Sequence, residues 1–291
     1  MKNINEDDEI RILGGSNWKA GQKPERKRRK PWIYIIVFII IAMASGIGIY
    51  MYFDHRFYGF DCPLSRNQEE VIKSLEKDVT PEKAGITFFE DSCLGVKMKI
   101  YKINGLRAEL CDSFPSTADK DVYLITRSSD YRFDDDKEKI IGDYVRNGNM
   151  ISKSNWRAGY FVTLGNSVEI GVGRRPDMRS FVIDNKGSMF RQFALVSAGV
   201  KCTSQYVLKG KVTRCAYARM ANNDMYFVET VNPETLYGFS DALVEYNFVD
   251  AIYITGGSQE NLFYRDMNGM AHGNYKDDKS HQMVVWKKYT K

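Results

Sequence analysis

An aspartate and an arginine stand two residues apart after a short apolar run. Asp130 and Arg132 follow Val122–Thr126, whose apolar and β-branched residues are typical of a buried strand. Side chains two apart in a strand point to the same side, so the spacing predicts a carboxylate and a guanidinium facing one cleft. A nearby guanidinium favours the ionised carboxylate, which suits a general base. A structural ion pair at a strand end predicts the same spacing.

Other arginines have the chemistry to bind phosphate. A planar guanidinium presents two N–H groups that match two phosphate oxygens, and Arg214 opens the most regularly patterned stretch of the chain. We therefore predict that Arg132 and Arg214 bind the anionic part of a substrate. Arg191 and Arg219 have the same chemistry, and any of these arginines could instead be a solvated surface group.

A glycine loop follows the same stretch, at Gly256–Ser258. Glycine lets backbone N–H groups come close to a phosphate or sugar oxygen, although it can equally serve only to supply a positive φ. Glu260 is the nearest carboxylate to this loop, so it joins Asp130 as a predicted catalytic residue. The predicted substrate-binding residues in this loop are Gly256, Gly257, Ser258 and Asn261.

The remaining polar clusters favour no metal or cofactor. Asp134–Asp136 has oxygens that suit calcium or magnesium, but three consecutive side chains do not point the same way, which favours a solvated turn. His272 and His281 lack an identifiable partner in the sequence. None of the cysteine spacings is a zinc pattern. We expect neither a metal nor another cofactor.

The arginine and the glycine loop flank a strand–helix–strand pattern. Met225–Val231 is rich in β-branched and aromatic residues, Asn232-Pro233 predicts a helix start, and apolar residues then recur at helical spacing over about 233–248. Ala251–Thr255 is again strand-like and runs into the glycines. Such a crossover usually joins parallel strands, and ligands tend to bind where these strands end.

This stretch resembles the phosphodiester glycosidase domain family. In that family an arginine opens a segment close to R-T-A-I-G, a strand and a helix follow, and a second strand ends in a D-G-G-G-S-like loop. The matching residues are Arg214, Ala216, the helix at about 233–248, Asp250-Ala251-Ile252 and Gly256-Gly257-Ser258. Thr255 stands where the family usually has aspartate. The resemblance implies a mixed α/β (α+β) domain that hydrolyses a sugar linked through phosphate.

The likeness extends more weakly over residues 95–287. A strand ending near N-G-x-F-F, a glycine hairpin, a strand of the form x-x-G-V and a Q-T-G-P-like loop follow one another in the family. The corresponding segments here are Ser128–Phe133, Ile140–Gly148, Gly171–Gly173 and Gln192–Leu195. Ser128-Ser129 replaces the family's Asn-Gly.

The region before Arg214 is β-rich. Val96–Ile103 alternates apolar and lysine residues, and Asn104-Gly105 predicts a hairpin turn with Leu106–Leu110 as the return strand. The other predicted strands are Ile140–Gly148, Tyr160–Leu164, Val168–Val172, Phe181–Ile183 and Phe193–Val196. These short strands predict sheets rather than helices for this half of the domain.

An apolar run near the N-terminus predicts a membrane span. Trp32–Phe53 holds 22 residues without a charge, and about 20 apolar residues cross the hydrocarbon core of a bilayer. Arg26–Lys30 is wholly basic and precedes the run, so the positive-inside rule places the N-terminus in the cytoplasm and the rest outside. A cleaved signal peptide ending near Ala42-Met43-Ala44 is the alternative.

Charge and cysteine content restrict the partners. Residues 1–31 hold nine Lys/Arg and five Asp/Glu, which is +4 of the formal net charge of +5, so the rest is close to neutral and no nucleic-acid partner is indicated. All five cysteines follow the span, where an oxidising compartment permits disulfides. Nearness in sequence favours the pairs Cys93–Cys111 and Cys202–Cys215, with one thiol left over.

Together these patterns predict a single-pass inner (cytoplasmic) membrane protein with a periplasmic or extracellular domain. The expected organisation is a cytoplasmic basic tail (1–31), a transmembrane helix (32–53), a juxtamembrane connector (54–85) and a phosphodiester glycosidase-like domain (86–291). Its expected partner is a sugar-phosphate or envelope glycan. The alternatives are a non-catalytic ectodomain that binds glycan or protein, and a subunit that tethers an envelope complex.

Overall fold

The computed structural model describes residues 31–57, 62–77, 83–134, 137–154, 157–173, 177–203, 210–254, 262–273 and 282–289. The helices in these ranges are α1 (Pro31–Phe57), α2 (Gln68–Leu75), α3 (Asp177–Asp184) and α4 (Leu236–Glu245). The chain divides into two compact units, Met1–Ile49 and Tyr50–Lys291.

Helix α1 has the length and composition of a membrane span. Its first 22 residues, Pro31–Tyr52, are long and apolar enough to cross a bilayer, and their side chains are exposed. At 1.5 Å per residue they extend about 33 Å, close to the thickness of the hydrocarbon core. Pro31 suits the first turn, where its missing N–H has no helical partner to lose. One such helix near the N-terminus fits a single-pass anchor or a signal sequence.

The described part of the domain after α1 is α+β and mostly β, as predicted, and its strands form four sheets. The strands are β1 (Gly85–Cys93), β2 (Val96–Asn104), β3 (Leu106–Cys111), β4 (Val122–Arg127), β5 (Tyr131–Asp134), β6 (Lys137–Ile140), β7 (Tyr144–Arg146), β8 (Asn149–Ser152), β9 (Gly159–Leu164), β10 (Ser167–Val172), β11 (Ser188–Gln192), β12 (Ala194–Ser197), β13 (Val200–Lys201), β14 (Cys215–Arg219), β15 (Met225–Thr230), β16 (Asp250–Ile254), β17 (Phe263–Arg265), β18 (Ala271–His272) and β19 (Met283–Lys288). The sheet orders are β1-β2-β15-β14-β16-β12-β13, β10-β9-β11-β7-β8, β18-β17-β4-β19-β3 and β5-β6.

The seven-stranded sheet contains the predicted strand–helix–strand unit. Strands β15 and β16 are each antiparallel to β14, which lies between them. They are therefore parallel to each other, and α4 crosses over β14 to join them. This confirms the predicted crossover between parallel strands and brings the ends of β15 and β16 to the same edge as the start of β14.

Two cores lie on opposite faces of this sheet. One face contributes Tyr217, Phe227 and Ile252, which pack with Phe161 and Trp286 of the two five-stranded sheets. The other face is covered by α4, whose apolar side chains are buried against the sheet. The three- and four-residue spacing read in the sequence is thus the buried stripe of an amphipathic helix.

Two local predictions are wrong. Asn104-Gly105 does not close a hairpin, because β2 pairs with β1 and β15 whereas β3 pairs with β19 in another sheet. The hairpin before it turns at Leu94-Gly95, both with positive φ. Phe181–Ile183 lies in α3 rather than a strand, with Met178 and Val182 buried one helical turn apart. A three-residue apolar run cannot distinguish the two structures.

The helix start is also later than predicted. Thr235 is the N-cap of α4, and its hydroxyl accepts a hydrogen bond from the backbone N–H of Gly238 at 3.0 Å. Asn232-Pro233 precedes the helix. A threonine cap satisfies one of the N–H groups that lack a helical partner, so the chain needs no cap at Asn232.

The connector segment, residues 62–66, is hydrogen-bonded to the domain. The Ser197 hydroxyl donates to the carbonyl of Pro63 at 2.6 Å, and the Ser65 hydroxyl donates to the Asp250 carboxylate at 2.6 Å. Arg66 forms an ion pair with Glu169 at 2.6 Å. The connector segment therefore belongs to the folded domain. It leads directly into α2.

Candidate functional site

The strand ends predicted to border a site meet at one edge of the seven-stranded sheet. Cys215, the first residue of β14, pairs with Glu229 of β15 and with Ile254, the last residue of β16. Arg214 immediately precedes Cys215, and residues 255–261 follow Ile254 along the chain. The edge therefore brings Arg214 beside the end of β16 at Ile254, 40 positions later in sequence (254 minus 214).

A continuous row of side chains runs from this edge to Asp130. Asp130 forms an ion pair with Arg157 at 2.8 Å, and the guanidinium carbon of Arg157 lies 4.5 Å from the centre of the Phe193 ring. The Phe193 and Tyr253 ring centres are 6.3 Å apart, and Arg214 lies 5.9 Å from the Tyr253 ring. We call these five residues the arginine–aromatic row.

The row combines three kinds of chemistry. Its guanidinium groups can donate to anionic oxygens, its rings are flat and apolar, and Asp130 supplies a carboxylate. Asp130 is the most exposed of the five, at 21% of its side chain, whereas the other four residues are 4–6% exposed. Cation–π contact holds each guanidinium over a ring, which restricts its orientation. A ligand with a phosphate and a ring of mixed polarity matches this set better than a purely apolar or purely anionic one.

The structure locates two of the predicted site residues in the row and one outside it. Asp130 directly precedes β5, and Arg214 donates from Nε to the carbonyl of Glu234 at 2.9 Å and from a terminal nitrogen to that of Gly210 at 2.6 Å. Arg132 is exposed on the β5–β6 ribbon.

The remaining predicted site residues lie outside the described part of the chain. They are Gly256, Gly257, Ser258, Glu260 and Asn261. Asp135 and Asp136 of the aspartate run, and His281, also lie outside it. Within the described ranges, there is no group of three or more His, Cys, Asp or Glu side chains able to hold a metal ion.

A buried ion cluster supports the row. The Asp143 carboxylate accepts from Arg191 at 3.1 Å and from Arg179 at 3.0 Å, and it also accepts the backbone N–H of Ser154 at 2.7 Å. Burial lowers the pKa of Arg191, whereas Asp143 opposes that change. Arg191 is thus a structural cation, and the next residue, Gln192, accepts a hydrogen bond from Arg157.

Arg219 lies at the other end of β14 from Arg214. It forms an ion pair with Asp250, the first residue of β16, and also donates to Asn223 at 2.8 Å. The structure therefore does not bring Arg219 to the row, although its residue type made it a candidate.

Glu229 is a buried carboxyl group at the same sheet edge. The Tyr101 hydroxyl donates to it at 3.2 Å, and the Lys99 ammonium lies 3.8 Å away. Burial raises the pKa of Glu229 despite Lys99 and Tyr101. Its register partner is Cys215. A carboxyl group with a raised pKa is common among general acids.

Sequence reasoning missed Arg157, Phe193, Tyr253 and Glu229. Glu229 had a signal, because a glutamate inside the apolar run Met225–Val231 breaks the pattern of a buried strand and calls for an internal partner. Arg157 had none, since nothing in its local sequence connects it to Asp130.

Replacing Glu229 with glutamine should make stability less dependent on pH. A raised folded-state pKa means that stabilisation is complete below the unfolded-state pKa and is lost as pH rises through the folded-state value. We expect Glu229→Gln to match the wild type near pH 4 and to gain relative stability toward pH 7. Urea unfolding of the full chain in detergent, followed by circular dichroism at several pH values, measures this.

Glu109→Gln is the control with the opposite sign. Burial disfavours the Glu109 carboxylate, but hydrogen bonds from Lys287 and Arg107 outweigh it and lower its pKa. Its stabilisation is present above the unfolded-state pKa, so this variant should lose stability relative to the wild type as pH rises. Parallel pH curves for wild type and Glu229→Gln would contradict the prediction.

Comparison with known proteins supports the fold. No protein-family model and no curated protein sequence matches the chain. The catalytic domain of zebrafish N-acetylglucosamine-1-phosphodiester α-N-acetylglucosaminidase, auto-inhibited by its pro-peptide, matches with a TM-score of 0.51 and 11% identity over 75% of this chain and 86% of that chain. A hypothetical protein from Synechocystis matches with a TM-score of 0.48 and 11% identity, over 70% of this chain and 62% of the other. The domain after α1 is therefore distantly similar in fold to a phosphodiester glycosidase catalytic domain.

Proposed function

We propose that this protein binds a sugar linked through phosphate at the arginine–aromatic row. The observation that supports this is the unbroken contact path from Asp130 to Arg214, in which two guanidinium groups flank a pair of aromatic rings. Phosphate oxygens are suited to the arginines and the sugar ring to the aromatic faces. The zebrafish enzyme of similar fold is named for a sugar phosphodiester, which is the same class of ligand.

Hydrolysis of the bound diester is the second part of the proposal. Glycosidases use two carboxyl groups, one as acid and one as base or nucleophile. Asp130, beside the Arg157 cation, is suited to act as the base. Glu260 follows the end of β16 in sequence and is proposed as the acid, with Gly256, Gly257, Ser258 and Asn261 binding the substrate beside it. Arg132 remains a candidate phosphate ligand.

Recognition without hydrolysis is the alternative function. Thr255 occupies the position where the phosphodiester glycosidase family usually has aspartate. A threonine hydroxyl cannot carry the negative charge or transfer a proton as a carboxylate does near pH 7. The same row would then recognise a phosphate-linked envelope glycan or a partner protein without turning it over, or tether an envelope complex.

Substitution at the row tests the binding proposal. The test ligand is the methyl phosphodiester of N-acetylglucosamine 1-phosphate. Arg157→Ala or Arg214→Ala should weaken its binding by about 1.5–3 kcal/mol, which is roughly 10- to 150-fold in the dissociation constant. This is the contribution of one charge-assisted hydrogen bond. Calorimetric titration of the full chain in detergent measures this. Asp130→Asn should keep binding within a few fold and stop release of the sugar.

Arg265→Ala is the matched control. Arg265 also donates to backbone carbonyls, those of Val122 and Thr117, and lies 5.3 Å from an aromatic ring, that of Phe263. It sits beside the start of β4, whereas Asp130 follows the end of that strand, so its loss should leave the affinity unchanged. Wild-type binding without sugar release would favour recognition alone. No binding of the diester to the wild type would refute both binding and hydrolysis of a phosphate-linked sugar.

We also propose that α1 remains in the inner membrane with the domain outside. The support is the apolar length of Pro31–Tyr52 and the basic run Arg26–Lys30 before it. Protease added to spheroplasts should degrade the domain and leave a membrane-bound N-terminal fragment. A mature protein that begins near Ser45 would instead identify a signal peptide.

A further inference from the structure

The cysteine pairs favoured by sequence nearness are not brought together. All five cysteines carry thiols in the structure. Cys202 and Cys215 are buried in different clusters, and Cys93 and Cys111 pack against two others. The predicted pairings are therefore wrong for this fold, because nearness in sequence does not determine which strands share a core.

Cys62 is the cysteine that shares a cluster with Cys202. It packs against the group formed by Ala158, Val172, Ala194 and Cys202. Its sulfur lies 3.8 Å from the carbonyl oxygen of Lys201, which belongs to the same peptide group as the amide nitrogen of Cys202. The two thiols are 140 positions apart in sequence (202 minus 62) and adjacent in the fold.

Strand β12 fixes the backbone at both cysteines. The Cys202 N–H donates to the carbonyl of Leu195 at 2.9 Å, and the Ser197 hydroxyl donates to the carbonyl of Pro63, the residue after Cys62, at 2.6 Å. Both cysteines are therefore held beside the same short strand and in the same apolar cluster. A disulfide between them requires Cα atoms roughly 4.4–6.8 Å apart.

We propose that Cys62 and Cys202 form a disulfide that locks the connector segment to the domain. The inference does not depend on the proposed sugar site, only on the domain facing an oxidising compartment. The oxidant is a protein disulfide carrier of that compartment. Such a crosslink closes a long loop, which is where a disulfide restricts the unfolded chain most.

Disulfide exchange accounts for every atom and electron. The partly exposed Cys62 thiol loses its proton, and its thiolate attacks the carrier disulfide, which forms a mixed disulfide and expels one carrier thiolate. The Cys202 thiolate then attacks the Cys62 sulfur and expels the second. The two cysteines lose two protons and two electrons, and the carrier leaves as a dithiol.

Acid trapping of thiols in intact cells tests the link. The full-length protein is alkylated in acid-quenched membranes, digested without reductant and analysed by mass spectrometry. We expect a peptide pair joined through Cys62 and Cys202, lost in Cys62→Ser and in Cys202→Ala, and retained in Cys111→Ser. Alkylation of both Cys62 and Cys202 in the wild type, or a link from either one to another cysteine, would overturn the proposal.

Thermal unfolding gives a second readout. Reductant should lower the midpoint of the purified wild-type protein by about 10 °C, as expected for a long closed loop. It should leave the midpoint of Cys62→Ser unchanged. An equal shift in the two proteins would show that a different bond is reduced and would also overturn the proposal. Neither readout involves sugar binding, so failure here leaves the proposed function untouched.

Discussion

Replacing Asp143 with alanine should destabilise the domain by about 3–5 kcal/mol, the cost of breaking a buried ion pair on one side. The Asp143 and Arg191 side chains are 1% and 2% exposed, and Arg179 shares the same carboxylate. Without Asp143, the Arg191 charge stays buried with carbonyl oxygens such as those of Gly173 and Arg157 as partners. Carbonyls satisfy its N–H groups but do not neutralise its charge.

Urea unfolding of the full chain in detergent measures this loss. Asp121→Ala is the control, because its ion pair with Lys288 is 3.9 Å long and both side chains are about half exposed or more. An exposed pair contributes about 0–1 kcal/mol. A loss at Asp143 no larger than at Asp121 would mean that water reaches the Arg191 site.

The same substitution should impair ligand binding at Arg157. The Asp143 carboxylate holds the Arg191 side chain, which donates to the backbone carbonyl of Arg157 at 3.3 Å, and Gln192 holds the Arg157 guanidinium. The turn at Gly142, with φ of +109°, brings that glycine so close to the Arg191 carbonyl that an added Cβ would lie 2.8 Å from its oxygen. Asp143 therefore positions Arg157 through its neighbours. At the same temperature, Asp143→Ala should weaken binding of the diester more than Asp121→Ala does.

Replacing Trp286 with alanine should also cost about 3–5 kcal/mol, as truncation of a large buried aromatic side chain does. Trp286 is 1% exposed and packs edge-on against Phe161, with ring centres 6.0 Å apart. Its indole N–H donates to the Tyr217 hydroxyl at 2.9 Å. Alanine leaves a cavity where three sheets meet, because neighbours on rigid strands cannot collapse into it.

Trp286→Phe separates packing from hydrogen bonding. Phenylalanine keeps most of the apolar volume but leaves the Tyr217 hydroxyl with Thr126, at 2.5 Å, as its remaining side-chain partner. We expect this variant to lose about 1–2 kcal/mol, less than alanine does. Equal losses in the two variants, measured by the same urea unfolding, would be inconsistent with a cavity as the main cause.

The strand–helix–strand unit was predictable because its pattern is local. Leu236, Phe239 and Leu243 mark the buried stripe of α4, and the flanking runs are long enough to be strands. The intervening position of β14 was not predictable, since strand order depends on pairings between distant residues. The same reason explains the error at Asn104-Gly105. The Asn104-Gly105 dipeptide favours a turn conformation, but which strands pair depends on how their side chains pack in the core.

The site could be predicted only in part. Arg214 and Asp130 carry side chains with evident chemistry, whereas Phe193 and Tyr253 look like ordinary core residues in the sequence. Their role in the row comes from the guanidinium groups that lie over them. Arg157 lies 27 positions after Asp130 (157 minus 130), and the ion pair between them joins segments that lead into strands of two different sheets, β9 and β5. Such contacts follow from tertiary structure and produce no recognisable residue spacing in a single sequence.

The hydrogen bonds of residues 63–66 determine where a soluble fragment of this protein can begin. A fragment that starts at Asn67 would remove Ser65 from the fully buried Asp250 and Arg66 from the buried Glu169. Arg219 would then be left as the side chain that neutralises Asp250. A boundary chosen at the first strand would also remove α2 and expose the apolar side chains that pack against Val71 and Leu75, which favours aggregation. Expression without the apolar helix should therefore start before Cys62.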